Sequence, residues 1–203
     1  ILGYICVKTL DKYSRSKMKL KHGMMISSIA WMWACIVGGV VISLATGTDF
    51  LNGIFESTSA LTGTGITMFD NVEILPHSIL FFRAFEQWVG GLGVVVMVIG
   101  VLTRPGTATA KLYQSEAREE RLKPSVKTTL KKTIEIYLIY TIVGIILYHL
   151  AGMPTFDSIC NTFCMIATGG MSVKNANIGY YHNDLIYLIS IVLMILGATS
   201  FLA

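Results

Sequence analysis

Apolar and polar positions in this chain fall into long blocks. One apolar run, free of charge, extends from about Met24 to Ala45. Three more cover about Ser78 to Leu102, Thr133 to Leu150, and Leu185 to the end of the chain. At 1.5 Å per residue, helices of this length cross a hydrocarbon layer of about 30 Å. Two shorter amphipathic stretches, Asp49–Leu61 and Thr155–Ile166, lie between the runs. The first carries Asn52, Glu56, Ser57, Thr58 and Ser59 among apolar residues. Both are too short and too polar to span, and both predict half-helices. Thr48 or Asp49 would cap the first. Pro154 or Thr155 opens the second, with Asp157 in a first turn where the helix dipole favours a carboxylate.

Each half-helix runs into a turn rich in threonine and glycine: Thr62-Gly63-Thr64-Gly65-Ile66-Thr67 in the first case, Ala167-Thr168-Gly169-Gly170-Met171-Ser172 in the second. The unit is therefore long helix, half-helix, turn, long helix, and it occurs twice. Aligning Gly65 with Gly170 sets the copies 105 residues apart. Internal repeats of this kind are a common construction of transport proteins. The expected organisation is an N-terminal helical end with a basic linker over 1–22, a first repeat over 23–103, a polar linker over 104–132 and a second repeat over 133–203. The linker is broken by Pro105 and Pro124, with a helix expected over about 107–122.

Composition fits lipid as the solvent: of 203 residues, 53% are hydrophobic and only 14% charged, against about 25% charged in soluble domains. The chain lacks an initial Met and reads as a piece of a longer protein. Its net charge of +4 is explained by placement and gives no nucleic-acid signal. Of the 16 Lys and Arg residues, 14 lie within 8–21 and 104–132, separated by two predicted spans. Both segments then face one side, the cytoplasm by the positive-inside rule. The other side carries Asp49, Asp70, Glu73, Asp157 and Asp184, with Lys174 its only cation, so both turns open outward. Among Cys6, Cys35, Cys160 and Cys164 there is no CxxC pair and no neighbouring His, and they read as small apolar core residues rather than metal ligands.

Non-helical backbone at membrane depth is tolerated only where it is buried in protein or lines water. A half-helix directs the negative end of its dipole, about half an elementary charge, at the turn that follows. Turn carbonyls can then replace the hydration shell of a monovalent cation, and glycine permits the backbone geometry this needs. Thr62, Thr64 and Thr168 add hydroxyls, and the outer acids raise the local cation concentration. The plainer alternative is a half-helix lying flat on the membrane with a surface loop; two copies on one side, each flanked by long spans, argue against it.

At the level of motif, FESTSALTGTGIT (Phe55 to Thr67) followed by LPHSILFFRAFEQWVGGLGVVVM (Leu75 to Met97) resembles the first pore repeat of the Trk/Ktr/HKT superfamily of potassium transporters, closest to the Trk branch. KPSVKTT (Lys123 to Thr129) with YLIYT (Tyr137 to Thr141) resembles that family's linker, and AGMPTFDSICNTFCMIATGGMS (Ala151 to Ser172) its second repeat. The resemblance implies an all-α membrane protein, multi-pass in the plasma membrane, with two helix–pore-helix–helix repeats of a four-repeat, potassium-channel-like pore. It implies filter segments at Thr62, Gly63, Thr64 and Gly65 and at Ala167, Thr168, Gly169 and Gly170, with K⁺ held by the carbonyls of Gly63, Thr64, Thr168 and Gly169. It further implies a homodimer above a cytosolic nucleotide-binding regulatory ring, and no organic cofactor in this chain. Gly63 stands where the family more often has Thr. The function expected is potassium uptake, with Na⁺ permeation or ion-coupled symport as alternatives of the same class. The alternatives from other classes are a non-transporting truncated scaffold and a membrane enzyme; no convergent nucleophile–base or metal set supports the last.

Two side chains are expected to support the filter: Arg83, about one turn into its helix, pairing with Glu56 or with Glu86. The competing expectation is that Arg83 snorkels to the interface. Gly90, Gly91, Gly93 and Gly100 predict close helix contacts; no strand precedes GGLG, which excludes a nucleotide loop. Trp31, Trp33 and Trp88 read as packing or interface residues rather than a ligand cage, and His77, His149 and His182 form no ligand set. Glu116, Arg118, Glu119, Glu120 and Arg121 read as a solvated helix face, with docking of the regulatory ring as the sharper alternative.

Overall fold

A computed structural model describes residues 20–102 and 126–199. The expected linker helix over 107–122, the charged cluster within it and the basic run that begins at Lys8 lie wholly or largely outside the described residues. Six α-helices are present among those described: α1 Leu20–Thr46, α2 Phe50–Leu61, α3 His77–Leu102, α4 Val126–Leu150, α5 Thr155–Ile166 and α6 Asp184–Ala198, with single 3₁₀ turns at Val72–Ile74 and Asn177–Tyr181. Contacts divide the chain within α1, into residues up to Trp33 and residues from Ala34 onward. In the first unit the helix exposes Met24, Met25, Ile26, Ile29, Met32 and Trp33, and the Ser28 hydroxyl donates back to the Met24 carbonyl.

The second unit has its polarity inverted relative to a soluble protein. On α4 the buried stripe is Thr133, Tyr137, Thr141, Gly144 and Tyr148, while Leu138, Ile139, Ile142, Val143, Ile146 and Leu147 are exposed. The stripe recurs every three or four residues, one face of a helix. Hydroxyls of the stripe pair inside: Thr141 accepts from the Trp88 indole N–H at 3.0 Å, and Tyr148 shares a hydrogen bond with Ser190 at 2.7 Å; the Thr133 hydroxyl is buried with no partner among the described residues. An apolar exterior around a partly polar interior is stable only where hydrocarbon replaces water. Met24–Thr46 and Lys131–Leu150 have the length and hydropathy of spans. Helix α4 begins seven residues before the span expected from Thr133, because nothing after Pro124 breaks it and VKTTLKK continues the helix as about two polar turns.

Half-helices α2 and α5 sit inside this frame, α2 against α3, and α5 against α3, α4 and α6. Asp49 caps α2 by accepting from Leu51 N–H at 3.1 Å, whereas Pro154 at the start of α5 makes no side-chain cap. Glycines let the long helices approach the half-helices, and Gly90 and Gly197 do so at equivalent places in the two copies. A Cβ on Gly39 would meet the Ile54 backbone, and one on Gly144 would meet Thr162. A Cβ on Gly90 would strike the Leu61 carbonyl, and one on Gly197 the Ile166 carbonyl; Leu61 and Ile166 are the last residues of the half-helices. The contact on the final carbonyl of each half-helix therefore repeats.

Past the turns, the two loops join. Asn175 Oδ1 accepts from Val72 N–H and its amide donates to Asn71 Oδ1, each at 2.8 Å. Asn175 N–H also reaches Glu73, and Lys174 lies 3.6 Å from the Glu73 carboxylate. Both turns thus open at the same end of the unit. Replacing Gly90 by Ala is expected to destabilise the protein by about 1–3 kcal/mol, as overpacking does. Gly179→Ala, where a Cβ meets nothing within 4 Å, is expected to be silent. Thermal melts of the detergent-solubilised full-length protein check this.

Candidate functional site

The two turns are built by one hydrogen-bond pattern. In the first, Gly63 N–H donates to Ala60 O and Thr64 N–H to Ser59 O; in the second, Thr168 N–H donates to Met165 O and Gly169 N–H to Cys164 O. Turn amides are thus folded back onto the last carbonyls of each half-helix, as helix C-termini require. That arrangement leaves the turn carbonyls directed elsewhere. Among the described residues no hydrogen bond reaches the carbonyls of Gly63, Thr64, Thr168 or Gly169.

The backbone angles repeat as well. Gly65 and Gly170 have φ of +76° and +80°, and Gly63 and Thr168 have φ of +70° and +53°. The left-handed region costs a non-glycine residue about 1–2 kcal/mol. Gly63 escapes that cost and Thr168 bears it, its hydroxyl turned onto the Ala167 carbonyl at 2.8 Å. The turns also touch. A Cβ on Gly65 would strike the Gly169 carbonyl, and one on Gly63 would lie 3.8 Å from the Ala167 carbonyl. Thr62 and Thr64 share a hydrogen bond of 2.8 Å at an exposed position. On the loop side, a cavity of about 220 Å³ is lined by both turns, at Gly65, Thr67, Gly170, Met171 and Ser172, and by Asp70.

Behind each turn a buried polar side chain in the middle of the half-helix grips the strand that leaves it. Glu56, fully buried, accepts from the Thr67 hydroxyl at 2.8 Å and from Met68 N–H at 2.9 Å. Its counterpart 105 residues on, Asn161, is also fully buried and meets the Ser172 hydroxyl at 3.4 Å. The flanking partners differ. Glu56 is neutralised by Arg83, whose Nε donates to it at 2.6 Å and whose second nitrogen reaches Thr67. Arg83 is 2% exposed; it does not snorkel, and its carboxylate partner is Glu56, while Glu86 accepts from Ser57 at 2.7 Å. Asn161 instead donates to the Tyr181 hydroxyl, which donates onward to Asp157 at 2.7 Å. Burial, reinforced by that carboxylate, pushes the Tyr181 phenol well up.

Sequence reasoning missed Asn161, Tyr181 and the role of Gln87 as a link to the second turn, described below. The 105-residue offset that aligns Glu56 with Asn161 is the signal that could have found the first. The histidines are placed separately: His77 stacks on Phe156, His149 lies 3.5 Å from Thr155, and His182 ends a 3₁₀ turn. Truncating Arg83 to Met alone strands a buried carboxylate and is expected to cost about 3–5 kcal/mol. Pairing it with Glu56→Gln should recover most of that loss, with Tm of the full-length protein as the readout; an additive double variant would contradict the pairing.

Comparison with known proteins agrees with this architecture. The family model described as a cation transport protein, TrkH, matches residues 1–202. The chain is 42% identical over 199 residues to an uncharacterized cation transporter of Methanocaldococcus jannaschii, covering 97% of this chain and 41% of that protein. It is 33% identical over 196 residues to the Trk system potassium uptake protein TrkG of Escherichia coli, covering 94% and 40%. The crystal structure of the potassium transporter TrkH from Vibrio parahaemolyticus superposes with a TM-score of 0.75 at 32% identity, over 88% of this chain and 36% of that one. The chain spans about two fifths of the length of these curated relatives. An apolar exterior, a duplicated half-helix and turn, and a match along nearly the whole sequence place this membrane chain in the TrkH family of cation transport proteins.

Proposed function

We propose that this chain supplies two of the pore loops through which a potassium-uptake protein passes K⁺ across the plasma membrane. The observation that carries the reading is the set of turn carbonyls, on Gly63, Thr64, Thr168 and Gly169, to which no described residue donates, on two touching turns at the negative ends of two half-helices. Water is the ordinary partner for such groups; in a water-lined bilayer crossing, a dehydrating alkali cation is the alternative that uses them. Thr62, Gly65, Ala167 and Gly170 shape the segments, and Glu56 with Arg83 supports the first from behind. Na⁺ is the competing ion for the same carbonyls.

The resemblance and the relatives' names extend the proposal to the complete protein. There, two further loops close the pore, the basic segments 8–21 and 104–132 face the cytoplasm, and a homodimer stands above a nucleotide-binding regulatory ring. The chemistry proposed is permeation, without a catalytic residue.

Flux of K⁺, Rb⁺ and Na⁺ through the reconstituted full-length protein tests the reading. Selective K⁺ and Rb⁺ flux is expected; flux no greater than in empty vesicles would leave a non-transporting scaffold instead. Gly65→Ala adds both left-handed strain, about 1–3 kcal/mol, and a clash with the Gly169 carbonyl. It is expected to lower K⁺ flux about tenfold or more in the same assay.

A further inference from the structure

Gln87 takes no part in the support described for the first turn. It lies on α3, one helical turn beyond Arg83, so the two side chains share a face of the helix. Its exposure is 0%. Its Oε1 accepts a hydrogen bond of 3.2 Å from Met171 N–H, across 84 residues of sequence and into the other repeat. Met171 is the residue that follows Gly170, where the second turn leaves the half-helix. The side chain also fills the space beside Gly169: a Cβ there would collide with the Gln87 carboxamide. Gly169 is thus a glycine because Gln87 occupies the place of its side chain. Nε2 of Gln87 is buried with no hydrogen-bond partner among the described residues. An orphaned buried donor is costly, commonly by more than a made hydrogen bond returns. A leucine or methionine would fill this volume without that cost, so the carboxamide is best explained by what Oε1 does.

We propose that Gln87 is a positioning residue for the second filter segment, and that α3 of the first repeat sets the ion preference of the second. The inference rests on the functional reading above. Arg83 acts through Glu56 on the strand leaving the first turn; Gln87 acts directly on the strand leaving the second. By tying Met171 N–H, it fixes where the Gly170 peptide begins, and by packing on Gly169 it limits how far the Thr168 and Gly169 carbonyls can swing. A cation as small as Na⁺ demands that such carbonyls move inward; K⁺ does not. Loosening the strand should therefore change discrimination before it changes throughput.

The test is the K⁺/Na⁺ flux ratio of the reconstituted full-length protein with Gln87→Met, which keeps length and removes the acceptor, and Gln87→Glu, which keeps an acceptor. The Met variant is expected to lose roughly threefold to tenfold of the wild-type ratio, the scale of one hydrogen bond, while its K⁺ flux stays within about twofold. The Glu variant should retain more of the ratio than Met does. If Gln87→Met does not assemble, Gln87→Asn, which withdraws the acceptor by one methylene, is expected to give the same loss. A selective wild type with an unchanged ratio in the Met variant, or in Asn where Met fails, overturns this inference alone. A wild type that carries no K⁺ overturns the functional reading and this inference with it.

Discussion

Backbone carbonyls inside a bilayer need a partner, and the structure depends on how that demand is met at the ends of α2 and α5. Turn amides close onto the final carbonyls of the half-helices, Gly63 onto Ala60 and Thr168 onto Met165. With the amides used in this way, the turn's own carbonyls are left facing outward from the helix that precedes them. Everything around the turns holds this geometry in place. Gly90 and Gly197 let the long helices press on the last carbonyl of each half-helix, and Asn175 ties the two outgoing loops together.

The duplication is closer in geometry than in sequence. Equivalent amides donate to equivalent carbonyls, and φ is positive at the same two positions of each turn. The copies diverge in what supports them. The first uses an ion pair, Glu56 with Arg83; the second uses two uncharged side chains, Asn161 and Tyr181, that lead to the Asp157 carboxylate. A buried pair needs its hydrogen bonds to offset desolvation, and Thr67 and Met68 supply them in the first copy. The second copy avoids a buried charge at that level and places its carboxylate at the half-buried start of α5. Gly63 and Thr168 are a further divergence: the common left-handed position is strain-free in one turn and strained in the other.

Much of the fold was legible in the chain, because long apolar runs and short amphipathic ones differ in length as well as pattern. The limits of α2 and α5 followed from Asp49, Pro154 and the glycines after each helix. The start of α4 did not: hydropathy marks where an apolar run begins, and the helix extends beyond it through the polar sequence VKTTLKK. At the site, Arg83 and Glu56 were visible because two opposite charges among apolar residues must find each other. Gln87 was not, since an uncharged side chain gives no sign of a partner 84 residues away. Nor was Tyr181, whose hydroxyl acquires its role only when the loop after the second turn folds back over Asp157.

The most direct measurement is the position of a heavy alkali ion in the complete protein. A crystal or cryo-electron microscopy structure in Rb⁺, with anomalous scattering to identify the ion, should place it within coordinating distance of the carbonyls of Gly63 and Thr64 and of Thr168 and Gly169. Rubidium bound only elsewhere, with those four oxygens hydrogen-bonded to protein, would contradict the account.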